Sequence, residues 1–492
     1  MNHYFFLIIC IFSIVQIQSQ TLRGQVIDED TQDPIPFANI SIGSNYGVIS
    51  NDEGFFIIQL RNTDAEKSLL ISSLGHEEIS IPIKDFKENQ VIALKLANEQ
   101  LDEVIVSNQQ LTAYEIVAKF LENKKENHHL KNTKTQIFHR NNIDYESVDF
   151  KIDLKRVSYL NKKEKKKFNE GMERIQQKLQ GTTTSDYREK LTETYILKDT
   201  LINEHIKSMY LINRNKSIDS DEIMQDVMFE IIKSLESENT FKVKTGIIPI
   251  DKDLDLNEFI EEYEAKKGGN PIPDTLKFSN KSLSFNYVIK NKLFEHEFFT
   301  KEKRYAYELE GYAFVHGHTC YHIKFTPDKN KAKFEGEMFI NAKDFGMVAY
   351  NYRLVDGKKT NNINLKLVLG IKVNTFEDSG YYVFSRSEDG YFAKYVRLNE
   401  SSYMYVDRSL SFKENDVRRR DRKSVKFNLL LEQIIHSKEE YVAIEHQSIN
   451  SDLKDSLNFD GYILIDELNK YDPTYWDGYN IIEATQAIKS YE

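Results

Sequence analysis

Only two cysteines occur in 492 residues, Cys10 and Cys320. Cys10 lies in an apolar N-terminal segment, so removal of that segment leaves no pair for an intrachain disulfide, and stability then rests on packing. An excess of positive charge is missing as well. With 77 acidic against 66 basic residues the net charge is −11, which excludes a strong overall pull towards nucleic acid, and no nucleic-acid partner is expected. After the first twenty residues no apolar run is long enough for a helical membrane span. The chain also contains no His-Glu-x-x-His, no Gly-x-Ser-x-Gly and no phosphate-binding glycine loop.

Those first twenty residues carry no Lys, Arg, Asp or Glu, and their apolar stretch from Tyr4 to Val15 is too short to cross a bilayer comfortably. The pattern is that of a secretory signal over residues 1–20, with cleavage near Ser19 or Gln20. Ile9 stands where a lipoprotein signal needs a small residue, so lipidation at Cys10 is not expected. The expected destination is export, to the periplasm or the outer-membrane periphery.

What the chain has in plenty is aromatic side chains: 28 Tyr and 30 Phe, 12% of residues with Trp included. Together with Ile and Val they fill alternating runs suited to pleated, half-buried strands. The length suggests roughly two to four domains. Residues 21–107 hold seven or eight short runs divided by turn signals at Asp28–Pro36, Gly43–Gly47, Asn51–Gly54 and Asn62–Lys67, the pattern of a small β-sandwich. A short amphipathic helix follows within a 108–130 linker, with Ala113, Ile116, Val117, Phe120 and Leu121 at helical spacing.

Residues 131–492 read as one large, curved, antiparallel β domain, half-barrel-like, with a helical insertion at about 160–270. Within the insertion, residues 161–180 form a charged helix whose Lys162–Lys167 cluster reads as a solvated face. Further helices are expected at 220–236, capped at Asp219–Ser220, and at 255–267, ended by Gly268-Gly269 and Pro271. From Lys281 to His436 about ten strands succeed one another, LFEHEFF and INLKLVLGIKV among them. The chain ends Lys489-Ser490-Tyr491-Glu492, without the terminal aromatic of outer-membrane barrels, and a transporter barrel is not expected.

Four motifs in the first 107 residues carry a resemblance. Gly24-x-Val26-x-Asp28, Pro34-Ile35-Pro36-Phe37-Ala38-Asn39-Ile40, Ser50-Asn51-Asp52-Glu53-Gly54-Phe55 and Leu101-Asp102-Glu103-Val104 resemble the carboxypeptidase-regulatory-like domain of secreted and outer-membrane proteins of Bacteroidetes. The resemblance implies a transthyretin-like sandwich that is accessory and not itself catalytic. The stretch GHTCYHIKFTPDKNKAKFEGEMFINAKDFGMVAYNYRL is similar to the sheet of periplasmic lipoprotein-carrier-like folds. The closing YDPTYWDGYNIIEATQAI resembles the end of Bacteroidetes two-domain proteins, with Tyr475, Trp476 and Tyr479 expected to lock the tail onto the domain.

Four places carry residue types that could do chemistry. His436-Ser437-Lys438-Glu439 has the spacing of a zinc carboxypeptidase pair, but only His446 follows, and His436 reads as a strand-end residue. Asp251, Asp253, Asp255 and Glu262 match the spacing of a calcium loop, yet Leu256 stands where glycine is required, and Asp255 with Glu258 reads as a capping box. Asn51, Asp52 and Glu53 read as a polar tight turn. Val315-His316-Gly317-His318-Thr319-Cys320-Tyr321-His322 crowds three histidines and a cysteine together; His316-Gly317-His318 reads as a hairpin tip, which leaves Cys320 and His322 on one face and Tyr321, Ile323 and Phe325 on the other.

No catalytic, cofactor-binding or metal residue is nominated, and no cofactor is expected. The reading is a non-enzymatic cell-envelope protein that binds or scaffolds, with an envelope protein, a peptide or a lipid as partner. Two rival readings are a hydrolase without a recognisable motif and a periplasmic carrier of lipid or lipoprotein.

Overall fold

The computed structural model describes residues 21–97, 111–128, 130–197, 200–212, 227, 229–235, 237–246, 248–257, 260–261, 293–450 and 465–491. The chain divides into two compact units: Met1–Gln100 with Pro473–Lys489, and Leu101–Asp472 with the last three residues.

The first unit is a β-sandwich of seven strands: β1 (Thr21–Asp28), β2 (Asn39–Ser41), β3 (Gly47–Ile49), β4 (Phe55–Gln59), β5 (Ser68–Ser72), β6 (Ile79–Pro82) and β7 (Gln90–Leu94). One sheet has the order β4-β1-β7 and the other β3-β2-β5-β6. Alternation puts Val26, Ile40, Val48, Phe56, Ile58, Leu69 and Ile71 at or below 1% exposure, which makes them the core. The motif residues work on the backbone. Asp28 accepts from the amides of Asp30 and Thr31 at 2.9 and 2.8 Å, and Ser50 Oγ donates to the Ile35 carbonyl while accepting from Ala38 N, both at 2.9 Å. The Leu101–Val104 motif lies outside the described residues.

The tail from Pro473 to Lys489 belongs to this sandwich, whereas sequence alone groups it with the large domain. Trp476, Ile481, Ile482, Ala484 and Ile488 are buried, and the Trp476 ring meets Tyr475 and Tyr479 edge-on. Asn480 is the polar anchor: Oδ1 accepts from the Gln59 amide at 2.7 Å and Nδ2 donates to the Tyr46 hydroxyl at 2.6 Å. Backbone polar groups in the sandwich are thus completed by residues more than 400 positions away, a pairing that no local pattern announces.

The second unit is built on one 14-stranded sheet. After helix α1 (Ala113–Asn127) come β8 (Thr133–Val157), α2 (Lys162–Leu179), β9 (Thr183–Leu197), β10 (Thr200–Leu211), β11 (Phe241–Thr245) and β12 (Ile248–Leu254). Then follow α3 (Glu297–Thr300), β13 (Tyr305–Val315), β14 (His318–Pro327), β15 (Phe334–Asn341), β16 (Met347–Leu354), β17 (Thr360–Leu365) and α4 (Lys366–Leu369). The last elements of the unit are β18 (Ile371–Ser387), β19 (Gly390–Glu414), β20 (Ser424–Ser448) and β21 (Asp466–Leu468); one further helical turn, α5 (Gln486–Lys489), lies in the tail of the first unit. The main path runs β13-β14-β15-β16-β18-β19-β20-β8-β9-β10-β21, all antiparallel except the last pair, and it does not close into a barrel.

Sequence and structure differ in three places. The 160–270 stretch is not purely helical: β9 and β10 join the sheet there, because both edges of β9 find partners, β8 on one side and β10 on the other. Of the expected 220–236 helix the described residues 227 and 229–233 are helical, and of the 255–267 helix 256–257 and 260–261; Asp219–Ser220, Gly268-Gly269 and Pro271 lie outside the described residues. LFEHEFF is not a strand. Its Phe298 and Phe299 lie in α3 and, with Phe294, bury one ridge at i, i+4 and i+5 spacing, while the Phe298 carbonyl accepts from Tyr307 OH at 2.5 Å. INLKLVLGIKV breaks at α4, where Gly370 closes one helical turn in the left-handed region (φ +64°) and a Cβ would lie 2.0 Å from the Asp407 carbonyl oxygen.

Asn480→Ala is expected to leave the buried Gln59 amide unpaired and destabilise the sandwich by about 1–3 kcal/mol. Urea unfolding followed by Trp476 fluorescence reads that loss.

Candidate functional site

The long strands decide which side chains meet. Registers Tyr382↔Val396, Val396↔Tyr441, Tyr441↔His139 and His139↔Lys190 carry one face across β18, β19, β20, β8 and β9. Further along, Val406↔Leu431↔Phe150 lies on the same face, because ten residues separate 396 from 406 and 441 from 431, and the odd count on β8 is absorbed by a bulge opposite Glu432/Gln433.

Two apolar layers cover this face at its ends. At one end Phe294 stacks on Phe384 (5.6 Å) and Phe299 meets Tyr350 (5.3 Å), with Phe120 of α1 against both phenylalanines. At the other, Met172 and Leu179 of α2, with Val227, Ile231 and Leu235, pack on Phe150, Leu154, Phe412, Phe427 and Leu431.

Between the layers the face turns polar. Glu400 and Ser402 of β19, Ser437 and Glu439 of β20, Asn141 of β8 and Asp186, Arg188 and Lys190 of β9 are half-buried or exposed, interleaved with Leu398, Ile143 and Ile435. Its centre is ordered by stacking: the His139 ring lies parallel to Tyr441 at 4.2 Å, and its Nε2 is 3.5 Å from a Glu439 oxygen that accepts the Tyr441 hydroxyl proton. Burial pushes His139 down to about 4, so the ring is neutral at pH 7. Arg188 lies over the Tyr210 ring at 4.7 Å and is tied to Asp186 at 3.0 Å.

Lys190 differs from its neighbours. Burial lowers its amine to about 8, with the Glu439 charge opposing the shift. Its side chain has no hydrogen bond or ion pair among the described residues.

The opposite face of the same strands is closed on itself. Arg140 donates to Glu189 through Nε and Nη2 at 2.6 Å, and Glu440 accepts from Tyr395 OH at 2.9 Å and lies 3.3 Å from Lys438, with Arg140, Glu189 and Glu440 all buried. Such pairing holds register and leaves nothing to spare for a ligand.

The sequence candidates fall into separate places. His436, expected at a strand end, lies in the middle of β20, which runs on because β19 and β8 pair both of its edges; its Nδ1 is 2.8 Å from Ser401 Oγ. Three residues along a strand is an odd step, so His436 and Glu439 point to opposite faces and do not converge. Asp251 and Asp253 sit on β12, Asp255 accepts from the Asn257 amide at 2.9 Å, and Glu258 and Glu262 lie outside the described residues. Asn51 Oδ1 accepts from the amides of Glu53 and Phe55, both at 2.9 Å, within its turn.

The histidine-rich stretch is a hairpin of two turn residues. Val315 pairs with His318, and His316 (φ +48°) and Gly317 (φ +79°) both adopt the left-handed conformation of a type I′ turn. His318 therefore opens β14. His322 stacks on Phe339 at 4.7 Å, with Glu337 3.6 Å away, whereas Cys320 is fully buried and its thiol is pushed well up by burial. Among the described residues, no group of three or more His, Cys, Asp or Glu side chains is placed to hold a metal ion.

Lys190 was missed from sequence. Nothing in YREKLTETY marks its lysine, because its burial exists only once β9 has paired with β8 and β10.

Two outcomes follow. His316→Val, a β-branched residue at positive φ, is expected to lower stability by about 1–2 kcal/mol, and His316→Asn to keep it, in urea titrations. His446, pushed down to about 4 by burial and stacked on Phe392 at 4.0 Å, is neutral in the fold like His139. Between about 6.5 and about 4 the unfolded chain binds protons that the fold does not, so stability falls as pH drops through that window, by on the order of 3 kcal/mol per histidine. His446→Phe should flatten the fall of Tm with acidification.

Comparison with known proteins bears on the first unit. No curated protein matches the chain. Among solved structures, one of lipid–protein interactions in lipovitellin is similar over 65% of this chain and 26% of that one, at 8% identity and a TM-score of 0.22. The Pseudomonas aeruginosa MucA/MucB complex is similar over 69% of this chain and 99% of that one, at 7% identity and a TM-score of 0.16. A protein of unknown function from Bacteroides fragilis, described as membrane-associated, is similar over 86% and 98%, at 9% identity and a TM-score of 0.13. Superpositions this loose assign neither fold nor function. Residues 22–106, however, match the family model of the CarboxypepD_reg-like domain, and with their motifs and seven-stranded sandwich they form a domain of that family.

Proposed function

We propose that the chain is an exported, non-enzymatic binding protein of the cell envelope, in the periplasm or at the outer-membrane periphery. Its CarboxypepD_reg-like domain is accessory, and the polar strip of the large sheet receives the ligand. The single observation that carries this reading is Lys190: a cation on a half-buried strip between two packed layers, with no ion pair among the described residues. A carboxylate or phosphate of a peptide or other extended ligand would supply the missing partner, and Leu398, Ile143 and Ile435 would take its apolar groups. The carrier reading asks for an apolar cavity under the sheet; the described face carries packed aromatics and a charged strip.

Below about 8 the Lys190 amine is charged and above it neutral, so affinity for an anion should fall as pH rises through about 8. Amine acylation read by mass spectrometry should show Lys190 half-reactive near that pH, and tripolyphosphate or an oligoglutamate peptide should slow it. Lys190→Met should abolish binding of both probes in calorimetry with Tm unchanged. Metal-dependent hydrolysis of peptides by the purified protein would instead establish the hydrolase reading.

A further inference from the structure

Two hairpin turns meet on one edge of β19. β18 pairs with it as far as Val406, and β11 takes over from Leu410 to Glu414. Arg408 fills the gap: Nη1 donates to the Leu369 carbonyl at 2.5 Å, and Nη2 and Nε donate to the Thr245 carbonyl and hydroxyl at 2.8 Å. The Asp407 amide donates to the Gly370 carbonyl at 2.7 Å and the Gly246 amide to the Ser409 carbonyl at 2.6 Å, so both turns are held in place.

These turns carry bare apolar side chains. Leu367 is 101% exposed and Val368 80%, with Leu365 and Ile363 beside them and Ile248 and Ile250 (60%) on the neighbouring hairpin. They account for six of the ten large hydrophobics exposed among the described residues of the second unit. Isolated exposed leucines need no explanation, but a braced cluster of them marks a contact surface.

Local charge says what covers it. Residues 357–376 contain four lysines, Lys358, Lys359, Lys366 and Lys372, and no carboxylate, in a chain whose net charge is −11. Lys366 and Lys372 lie back over the rings of Tyr405 and Tyr403, at 3.7 and 5.0 Å, behind the tip that Leu367 and Val368 form. An apolar point in front of basic side chains is complementary to an anionic bilayer, which offers hydrocarbon beneath a negative headgroup layer.

We infer that the α4 tip, Leu367 and Val368 with Lys366 and Lys372 behind them, inserts into an anionic lipid surface and seats the protein on it. The inference rests on the envelope reading only for the lipid that the tip would meet; the insertion itself follows from the tip.

The test is co-sedimentation of the chain from Thr21 onward, free of the apolar N-terminal run, with vesicles of phosphatidylcholine containing about one third phosphatidylglycerol. Binding is expected, weaker at high salt and on pure phosphatidylcholine. Leu367→Asp with Val368→Asp should lower the partition constant by at least about tenfold at unchanged Tm, since both side chains are free of the core. Lys190→Met should bind vesicles as the wild type does, which separates the tip from the strip. Failure of the wild type to sediment, or equal sedimentation of the tip variant, would overturn the inference. So would a dimer that the tip variant converts to monomer while vesicle binding persists, because a second copy would then be the tip's partner.

Discussion

The second unit depends on one constraint, the long antiparallel pairing of β8, β19 and β20, with the bulges of the β20–β8 pair included. Each has 25 residues, which at about 3.3 Å per residue is about 80 Å of continuous pairing. With a period of two, that register fixes the face of every side chain at once. It places both apolar layers on one side, leaves the polar strip between them, and gathers Arg140, Glu189 and Glu440 on the other. The bulges are part of the constraint: were the β8 strand regular opposite Glu432/Gln433, the odd count from His139 to Phe150 would put them on opposite faces, and one layer or the strip would be lost.

Long two-sided strands must also dispose of polar groups that they bury, and stacking and pairing do most of this work. His139 lies on Tyr441 and His446 on Phe392, both neutral rings behaving as aromatic filler with one polar edge. Lys394, lowered to about 7 by burial, donates to the Ala443 carbonyl at 2.6 Å. Such groups make the sheet less stable than an all-apolar equivalent would be, while a one-residue slip would strand several charges at once. Against that background, Lys190 has no side-chain hydrogen bond or ion pair among the described residues.

The sandwich shows the same dependence on distant partners in another form. Its strands and turns are local, but the Gln59 amide and the Tyr46 hydroxyl are completed by Asn480, and Glu53 accepts from the Gln486 amide at 2.9 Å. The tail is a structural member of the first unit although the 372 residues Leu101–Asp472 of the second unit intervene in sequence.

By itself the sequence determined the local features. Alternating Val, Ile, Phe and Tyr made the mainly β class legible; Gly, Asn and Asp set the turns; Gly24, Pro34–Ile40 and Ser50–Phe55 identified the CarboxypepD_reg-like domain; and His316-Gly317 marked a hairpin. These are readable because strand period, turn conformation and capping are decided within a few residues. Tertiary structure alone decided that β9 and β10 enter the sheet, that LFEHEFF coils instead of extending, that His436 and Glu439 diverge, and that Pro473–Lys489 returns to the sandwich. It also half-buried Lys190 and set the α4 tip beside the β11–β12 turn. Each of these depends on which strand edge or buried surface a segment meets, and edges and surfaces exist only once distant strands have paired.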